Sequence, residues 1–296
     1  MQVWEPDLRS DKLAQLALLG VALIWGWTFV LVKESLSEIG PFTFLFYRFM
    51  LASIILLILS GPRLKRVECH VWFKGALIGV ALFGGYAFQT WGLRYTTATN
   101  SAFISGLAVV FVPLLGAGLF RERIGWGAWL GALAAVVGLG LIVFSSAPTL
   151  SFASLNRGDL LTLGCALSVA WHILLIGRLA RPQTYMPLLV MQIGVVALLS
   201  GVGMLAVEDP VLPQSFVVWK GIVLTGIFAT ALALWAQNRF QPYTTAARTA
   251  ILLASEPVFA AVLGYWLLGE RLVGWQWLGA LLIPGAILLS HRRPGL

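Results

Sequence analysis

The sequence RERIGWGAWLGAL at residues 121–133 recurs as GERLVGWQWLGAL at residues 269–281, 148 residues further along the chain. The pair Glu122-Arg123 matches Glu270-Arg271, and in both copies this charged pair leads into a long apolar run. The offset is half of the 296-residue chain. The pattern indicates two related halves, each of which contains the same charged entrance to an apolar helix.

The composition indicates a polytopic membrane protein. Hydrophobic residues make up 59% of the chain, charged residues only 11%, and the mean hydropathy is +0.89. A soluble domain carries roughly 25% charged residues because it must present a hydrated surface. The net charge of +8 would favour nucleic-acid binding in a soluble protein. In a membrane protein it reflects basic residues retained on the cytoplasmic side, so no nucleic-acid partner is expected.

Apolar runs long enough to span about 30 Å of hydrocarbon predict an all-α fold with ten transmembrane helices. Residues 1–145 form the first five-helix repeat, 146–157 a linker, and 158–296 the second repeat. The first run is long and lacks a small-residue cleavage site, so it is interpreted as a retained helix. The predicted spans are 12–33, 41–60, 72–93, 98–120, 124–144, 158–178, 185–206, 216–239, 246–267 and 274–291.

The distribution of basic residues predicts the orientation in the membrane. With the N-terminus inside, fourteen Lys and Arg residues lie in inner segments and five in outer segments, and Arg48 alone lies within a span. Cytoplasmic segments carry the excess of basic residues, so both termini are predicted to be cytoplasmic in the inner membrane of a bacterium.

Five spans per half is an odd number, so the second half is expected to enter the membrane from the opposite side. The front of each half also repeats, because LGVALIWGW at 19–27 aligns with LGCALSVAW at 163–171 at an offset of 144. Inverted-topology repeats are typical of secondary transporters that work by alternating access. A channel or a duplicated structural scaffold is the alternative class of protein.

Four segments resemble the drug/metabolite transporter superfamily, and specifically its EamA-type exporters. They are ALIWGWTFVLVK (22–33), FYRFMLA (46–52), NSAFISGLAVVFVPLLGAGLFRER (100–123) and SEPVFAAVLGYWLLGERL (255–272). The Trp-rich, short-loop pattern is similar to bacterial amino-acid exporters of the YddG type. The resemblance implies ten helices in a 5+5 inverted repeat and export of amino acids or related small metabolites. Multidrug or metabolite export on the same scaffold is the alternative that it leaves open.

Two formal charges lie well inside predicted spans, where a lipid-facing charge is costly. Arg48 has apolar and aromatic neighbours, so its guanidinium is expected to turn into the helix bundle and bind a substrate carboxylate. Glu256 lies near the midplane before Pro257 and is a candidate partner for an amine or a proton carrier. The alternative is that both are structural. At offsets of 144 and 148 they correspond to Gln192 and Ala108, so the halves differ there.

Aromatic and polar side chains form a second group of candidates. Trp25 and Tyr86 lie at a depth similar to that of Arg48, and Trp171 lies at the mirrored depth. A carboxylate, an ammonium and an apolar side chain would suit an Arg, an acid or amide, and an aromatic face. The remaining candidate ligand residues are Gln89, Asn100, Ser101, His172 and Gln192.

Three prolines inside spans are predicted hinges, namely Pro113, Pro257 and Pro284. The three histidines at positions 70, 172 and 291 form no metal-ligand spacing, and a nucleotide-binding P-loop is absent from the sequence. No enzyme activity, metal or cofactor is therefore expected. The expected partners are a small-molecule substrate and the lipid bilayer, with the chain acting as a monomer.

Overall fold

The computed structural model describes residues 8–64, 67–96, 98–144, 156–268 and 274–290. Within these ranges all regular structure is helical. A π-helical segment lies at Thr225–Leu232, and two 3₁₀ turns lie at Gly61–Leu64 and Gln241–Tyr243. The α-helices are α1 (Leu8–Ser35), α2 (Pro41–Ser60), α3 (Cys69–Gly92), α4 (Ala98–Gly106), α5 (Ala108–Phe120), α6 (Trp126–Phe144), α7 (Arg157–Leu179), α8 (Tyr185–Val207), α9 (Phe216–Leu224), α10 (Ala233–Phe240), α11 (Ala246–Leu253), α12 (Glu256–Leu268) and α13 (Trp275–Ser290).

These elements form ten apolar helical segments at the ten predicted positions. Eight are at least 18 residues long and apolar enough to cross a membrane, and α6 and α13 supply two shorter ones. Their outward surfaces carry large apolar side chains such as Ile58, Leu205 and Leu288, each more than 70% exposed. An apolar exterior of this extent suits lipid rather than water. The prediction of an all-α polytopic membrane protein with ten helices is therefore confirmed.

The fourth and ninth spans are each divided into two helices, where the sequence predicted one. The first break lies at Leu107, between α4 and α5, and the second at Ala254 and Ser255, between α11 and α12. Leu107 and Ser255 are equivalent at the 148-residue offset. Pro257 contributes to the second break because it has no N–H to donate to the carbonyl of Leu253.

The other two predicted hinges, Pro113 and Pro284, do not interrupt their helices, contrary to expectation. Pro113 lies inside α5, six residues beyond the break, and Pro284 lies inside α13, which continues through it. Neighbouring helices in a membrane protein stabilise a helix around a proline, so neither residue ends its helix. Of the three prolines, only Pro257 adjoins a break, and its role as a hinge stays a prediction.

The packing of α6 against α13 relates the two halves by pseudo-twofold symmetry. A Cβ on Gly279 would lie 2.5 Å from the backbone oxygen of Gly138, and one on Gly131 would lie 2.9 Å from that of Ala286. At the 148-residue offset Gly131 is equivalent to Gly279, and Gly138 is equivalent to Ala286. The contact of Gly131 with Ala286 is therefore the symmetry equivalent of the contact of Gly279 with Gly138. Small residues allow this close approach of helices, as in other membrane interfaces.

The main buried core joins both halves. Val112 in α5 and Ala135 in α6 pack in one cluster with Ile173 in α7, Ile251 in α11 and Ala286 in α13. α3 packs along α7 and α8, and α2 packs along α8. The second-half helices α7 and α8 therefore border first-half helices, which places the contact between the halves at the centre of the bundle.

Only one copy of the repeated charged entrance can be described. Glu122 lies between α5 and α6 and accepts a hydrogen bond of 2.6 Å from Nη2 of Arg178. Glu270 and Arg271 lie outside the described residues, as do His291 and most of the predicted linker at 146–157.

Candidate functional site

A cavity of about 160 Å³ lies between the two halves. Its apolar wall includes Leu82, Val109 and Leu139 from the first half and Val169 and Leu253 from the second. Polar and aromatic side chains also line it, namely Trp25, Thr28, Arg48, Tyr86, Gln89, Ser105, His172, Gln237 and Glu256. A largely apolar wall with a few convergent polar groups is the usual construction of a small-molecule site.

Arg48 extends from α2 to this cavity and is only 4% exposed. Its Nε donates to Oγ1 of Thr230 at 2.7 Å, and its Nη2 donates to the hydroxyl of Tyr86 at 3.4 Å. The guanidinium carbon lies 4.8 Å from the centre of the Tyr86 ring, within range of a cation–π contact. Nη1 makes no hydrogen bond with the described residues, so part of the guanidinium stays available to a ligand.

The π-helical segment holds both Arg48 and Trp25. Nε1 of Trp25 donates to the backbone oxygen of Ala229 at 2.9 Å, and Thr230 accepts from Arg48. The Thr230 hydroxyl in turn donates to the backbone oxygen of Thr225, five residues earlier, at 3.0 Å. Single π-helical turns occur frequently at functional sites. Here the widened turn supplies a carbonyl and a hydroxyl that fix the two cavity side chains.

Tyr86 and Gln89 both line the cavity from α3. They are three residues apart and therefore share one helix face. The Tyr86 ring also packs edge-on against Phe49, with 4.9 Å between the ring centres. This contact and the bond to Arg48 fix the ring beside the guanidinium.

His172 lines the cavity from α7 and is held by residues behind it. Its Nε2 lies 2.9 Å from Oε1 of Gln192, and Nε2 of Gln192 donates to Oδ1 of Asn238 at 2.8 Å. Gln192 is fully buried and does not line the cavity. Contrary to the expectation that Gln192 binds a ligand directly, the structure places it as the residue that orients His172.

Glu256 lines the cavity at the first residue of α12, beside the break in the ninth span. Among the residues that the structure describes, it takes part in no ion pair. Pro257 and Ala108, the first-half equivalent of Glu256, also line the cavity. The two breaks in the fourth and ninth spans therefore meet at the same site, with one carboxylate between them.

Two further predicted residues, Trp171 and Ser101, do not line the described cavity. Trp171 packs edge-on against Phe120, with 5.6 Å between the ring centres, and faces a separate apolar cluster. Ser101 is buried outside the cavity, which Ser105, one turn later, lines instead. The side chain of Asn100 lies outside the described part of the chain.

Sequence reasoning missed Gln237 and Thr230. Gln237 corresponds to the predicted residue Gln89 at the 148-residue offset, so extending the repeat to that residue would have found it. Thr230 had no comparable signal, because a π-helical turn leaves no mark in an apolar run. Among the described residues no cluster of three His, Cys, Asp or Glu side chains could hold a metal ion.

A ten-helix membrane protein whose two related halves enclose a cavity with convergent polar groups has the architecture of a membrane transporter. The chain belongs to the EamA-like transporter family, whose model matches residues 12–144 and again 156–292. This confirms the resemblance to the drug/metabolite transporter superfamily. The family is one of transporters rather than enzymes, and it implies a small-molecule substrate and a lipid bilayer.

Curated relatives agree with this assignment, and a solved structure shares the fold. An uncharacterized transporter of Archaeoglobus fulgidus is 35% identical over 280 residues, covering 95% of this chain and 86% of the relative. Another from Synechocystis is 28% identical and covers 99% of this chain and 94% of the relative. A crystal structure matches with a TM-score of 0.79 at 21% identity, over 94% of this chain and 96% of that one, which supports the fold.

Proposed function

We propose that this chain is a secondary transporter that exports amino acids, or related small metabolites with a carboxylate, across the bacterial inner membrane by alternating access. The observation that carries the proposal is Arg48. It is buried at the cavity between the halves, oriented by Thr230 and Tyr86, and in no ion pair with the described residues. A buried, oriented guanidinium with available N–H groups suits a carboxylate, which it binds through two parallel hydrogen bonds.

The remainder of the cavity fits the rest of an amino acid. Trp25 and Tyr86 present aromatic surface, Leu82 and Val169 present apolar surface, and Glu256 provides a carboxylate for a cation or a transferable proton. Direction and sidedness rest on the family resemblance and on the basic residues of the predicted inner segments. Equivalent breaks in the fourth and ninth spans supply two positions at which the halves can bend.

The test is transport by purified protein in proteoliposomes with phenylalanine and phenylalaninamide. Arg48→Lys keeps the charge but not the planar geometry, so transport of phenylalanine should fall at least about tenfold, while the amide changes little. Arg94→Lys, at an exposed position outside the cavity, is the matched control. Equal losses for acid and amide in a folded Arg48→Lys protein would contradict the role of Arg48. Saturable uptake with counterflow would separate a carrier from a channel.

A further inference from the structure

Two chains of hydrogen bonds run through the buried amides beside the cavity, and each has a fixed direction. The first begins at the backbone oxygen of Leu234, which can only accept a hydrogen bond. Nδ2 of Asn238 donates to it at 2.9 Å, so Oδ1 of Asn238 is the acceptor for Nε2 of Gln192 at 2.8 Å. Oε1 of Gln192 must then accept from Nε2 of His172 at 2.9 Å. In a neutral imidazole whose proton is on Nε2, Nδ1 is an acceptor.

The second chain begins one residue away from His172. Nε2 of Gln241 donates to the backbone oxygen of Ile173 at 2.6 Å, and Oε1 of Gln241 accepts from Nε2 of Gln237 at 3.1 Å. This bond fixes the orientation of the Gln237 amide, and Oε1 of Gln237 is left as its acceptor atom. This oxygen is buried and has no hydrogen-bond partner among the residues that the structure describes.

Both chains therefore end in hydrogen-bond acceptors on side chains that line the cavity. Gln237 is fully buried, and His172 is 3% exposed. A buried amide oxygen without a partner is unusual in proteins, where such groups are nearly always satisfied. The construction therefore indicates a place for a ligand with N–H donors.

Arg48 and Gln237 line the same cavity, so a small zwitterion of sufficient length would contact both. Thr230, which accepts from Nε of Arg48, precedes Gln237 by seven residues, a rise of roughly 10 Å along the helical segment that continues into α10. An α-amino acid spans about 3 Å from its nitrogen to a carboxylate oxygen. Adding two hydrogen bonds of about 2.9 Å gives a total of about 9 Å.

We propose that Gln237, with His172 beside it, forms an acceptor subsite for the ammonium group of the transported solute. The proposal rests on the proposed function, because it assumes that the carboxylate binds Arg48. It adds that Gln237 selects against solutes that carry a carboxylate but no amine. Gln192, Asn238 and Gln241 are positioning residues that keep the acceptor atoms turned toward the ligand.

The test uses three ligands with one side chain: phenylalanine, 3-phenylpropionate without the amine, and phenethylamine without the carboxylate. A parallel set is leucine, 4-methylpentanoate and isoamylamine. Binding is measured calorimetrically to wild type, Gln237→Met, Gln237→Glu and Arg48→Lys in lipid nanodiscs. Gln276→Met is the matched control, because Gln276 is also a buried glutamine but does not line the cavity.

Gln237→Met should weaken binding of both amine-containing ligands about tenfold and leave the acid within twofold of wild type. Gln237→Glu should retain amine binding because it keeps acceptor oxygens. Equal effects of Gln237→Met on all three ligands, or no Gln237-dependent binding of any amine, would overturn the subsite. Failure of the proposed function would give a different result. Binding of the amines would still require Gln237, but Arg48→Lys would leave binding of the carboxylate-containing ligands unchanged.

Discussion

The bond between Arg48 and Thr230 gives a quantitative test of how the cavity is held. Thr230→Val keeps the shape of the side chain and removes the hydroxyl that accepts from Nε of Arg48 at 2.7 Å. Both residues are buried, at 4% and 0% exposure. A hydrogen bond to a charged group contributes about 1.5–3 kcal/mol, and an unsatisfied buried donor carries a similar penalty. We therefore expect Thr230→Val to lower the free energy of unfolding by about 1.5–3 kcal/mol.

The measurement is a double-mutant cycle on the protein unfolded reversibly in mixed micelles. Single and double variants of Thr230→Val and Arg48→Met report the coupling between the two side chains. In the Arg48→Met protein, Thr230→Val should cost no more than about 1 kcal/mol, because only the neutral hydrogen bond to the backbone oxygen of Thr225 is lost.

Thr162→Val is the control for loss of a buried hydroxyl. Thr162 is also fully buried, but its hydroxyl donates only to the backbone oxygen of Gly158 at 2.8 Å. Its substitution should cost less than about 1 kcal/mol, since only one neutral hydrogen bond is lost. If Thr230→Val had the same cost with and without Arg48, the π-helical segment would not be what positions the guanidinium.

Three further predictions concern packing, coupling and topology. Gly279→Ala should destabilise the protein by about 1–3 kcal/mol, because the added methyl group would overlap the neighbouring helix. Gly285→Ala should not, because the space around Gly285 is open, and thermal unfolding of both variants checks this. Amino-acid uptake by the Glu256→Gln variant is measured in proteoliposomes with and without a pH gradient. If the protein is a proton-coupled exchanger, the variant should lose the response of uptake to the gradient; if it is a facilitator, the variant should keep its full rate of uptake. Single cysteines replacing Glu122 and position 270, in a protein with Cys69 replaced, should react with an impermeant thiol reagent from opposite sides of the membrane; reaction from one side would refute the inverted orientation.

The number of helices could be predicted from sequence because run length and hydrophobicity decide which segments cross a bilayer. The break at Leu107 could not, since apolar residues continue on both sides and the nearest proline is six residues away. The break before Pro257 was only partly predicted, as a kink, because proline removes one backbone donor. The π-helical segment has no sequence signal of this kind.

The residues of the candidate site could also be predicted only in part. Arg48 and Glu256 could be predicted because a charge inside a membrane must turn away from lipid. Trp171 was predicted wrongly as a cavity residue from its depth alone. At the offset of 144 it corresponds to Trp27, which packs edge-on against Phe228 with 6.2 Å between the ring centres and does not line the cavity. Depth fixes how far along a helix a residue lies, but rotation about the axis decides where it points.

The repeat preserves the backbone around Arg48 while changing its chemistry. A Cβ on Gly226 would lie 3.2 Å from the backbone oxygen of Arg48, and one on Gly79 would lie 2.9 Å from that of Gln192. Equivalent helices thus approach closely at both positions, yet one carries a guanidinium that lines the cavity and the other an amide that orients His172. A cavity with strict twofold symmetry would offer a zwitterion two equal and opposite orientations. Under the proposed function, the presence of Arg48 in one half and Gln192 at the equivalent position gives the cavity one donor end, at Arg48, and one acceptor end, beside His172. The solute then keeps a single orientation while the similar scaffolds of the two halves exchange conformations around it.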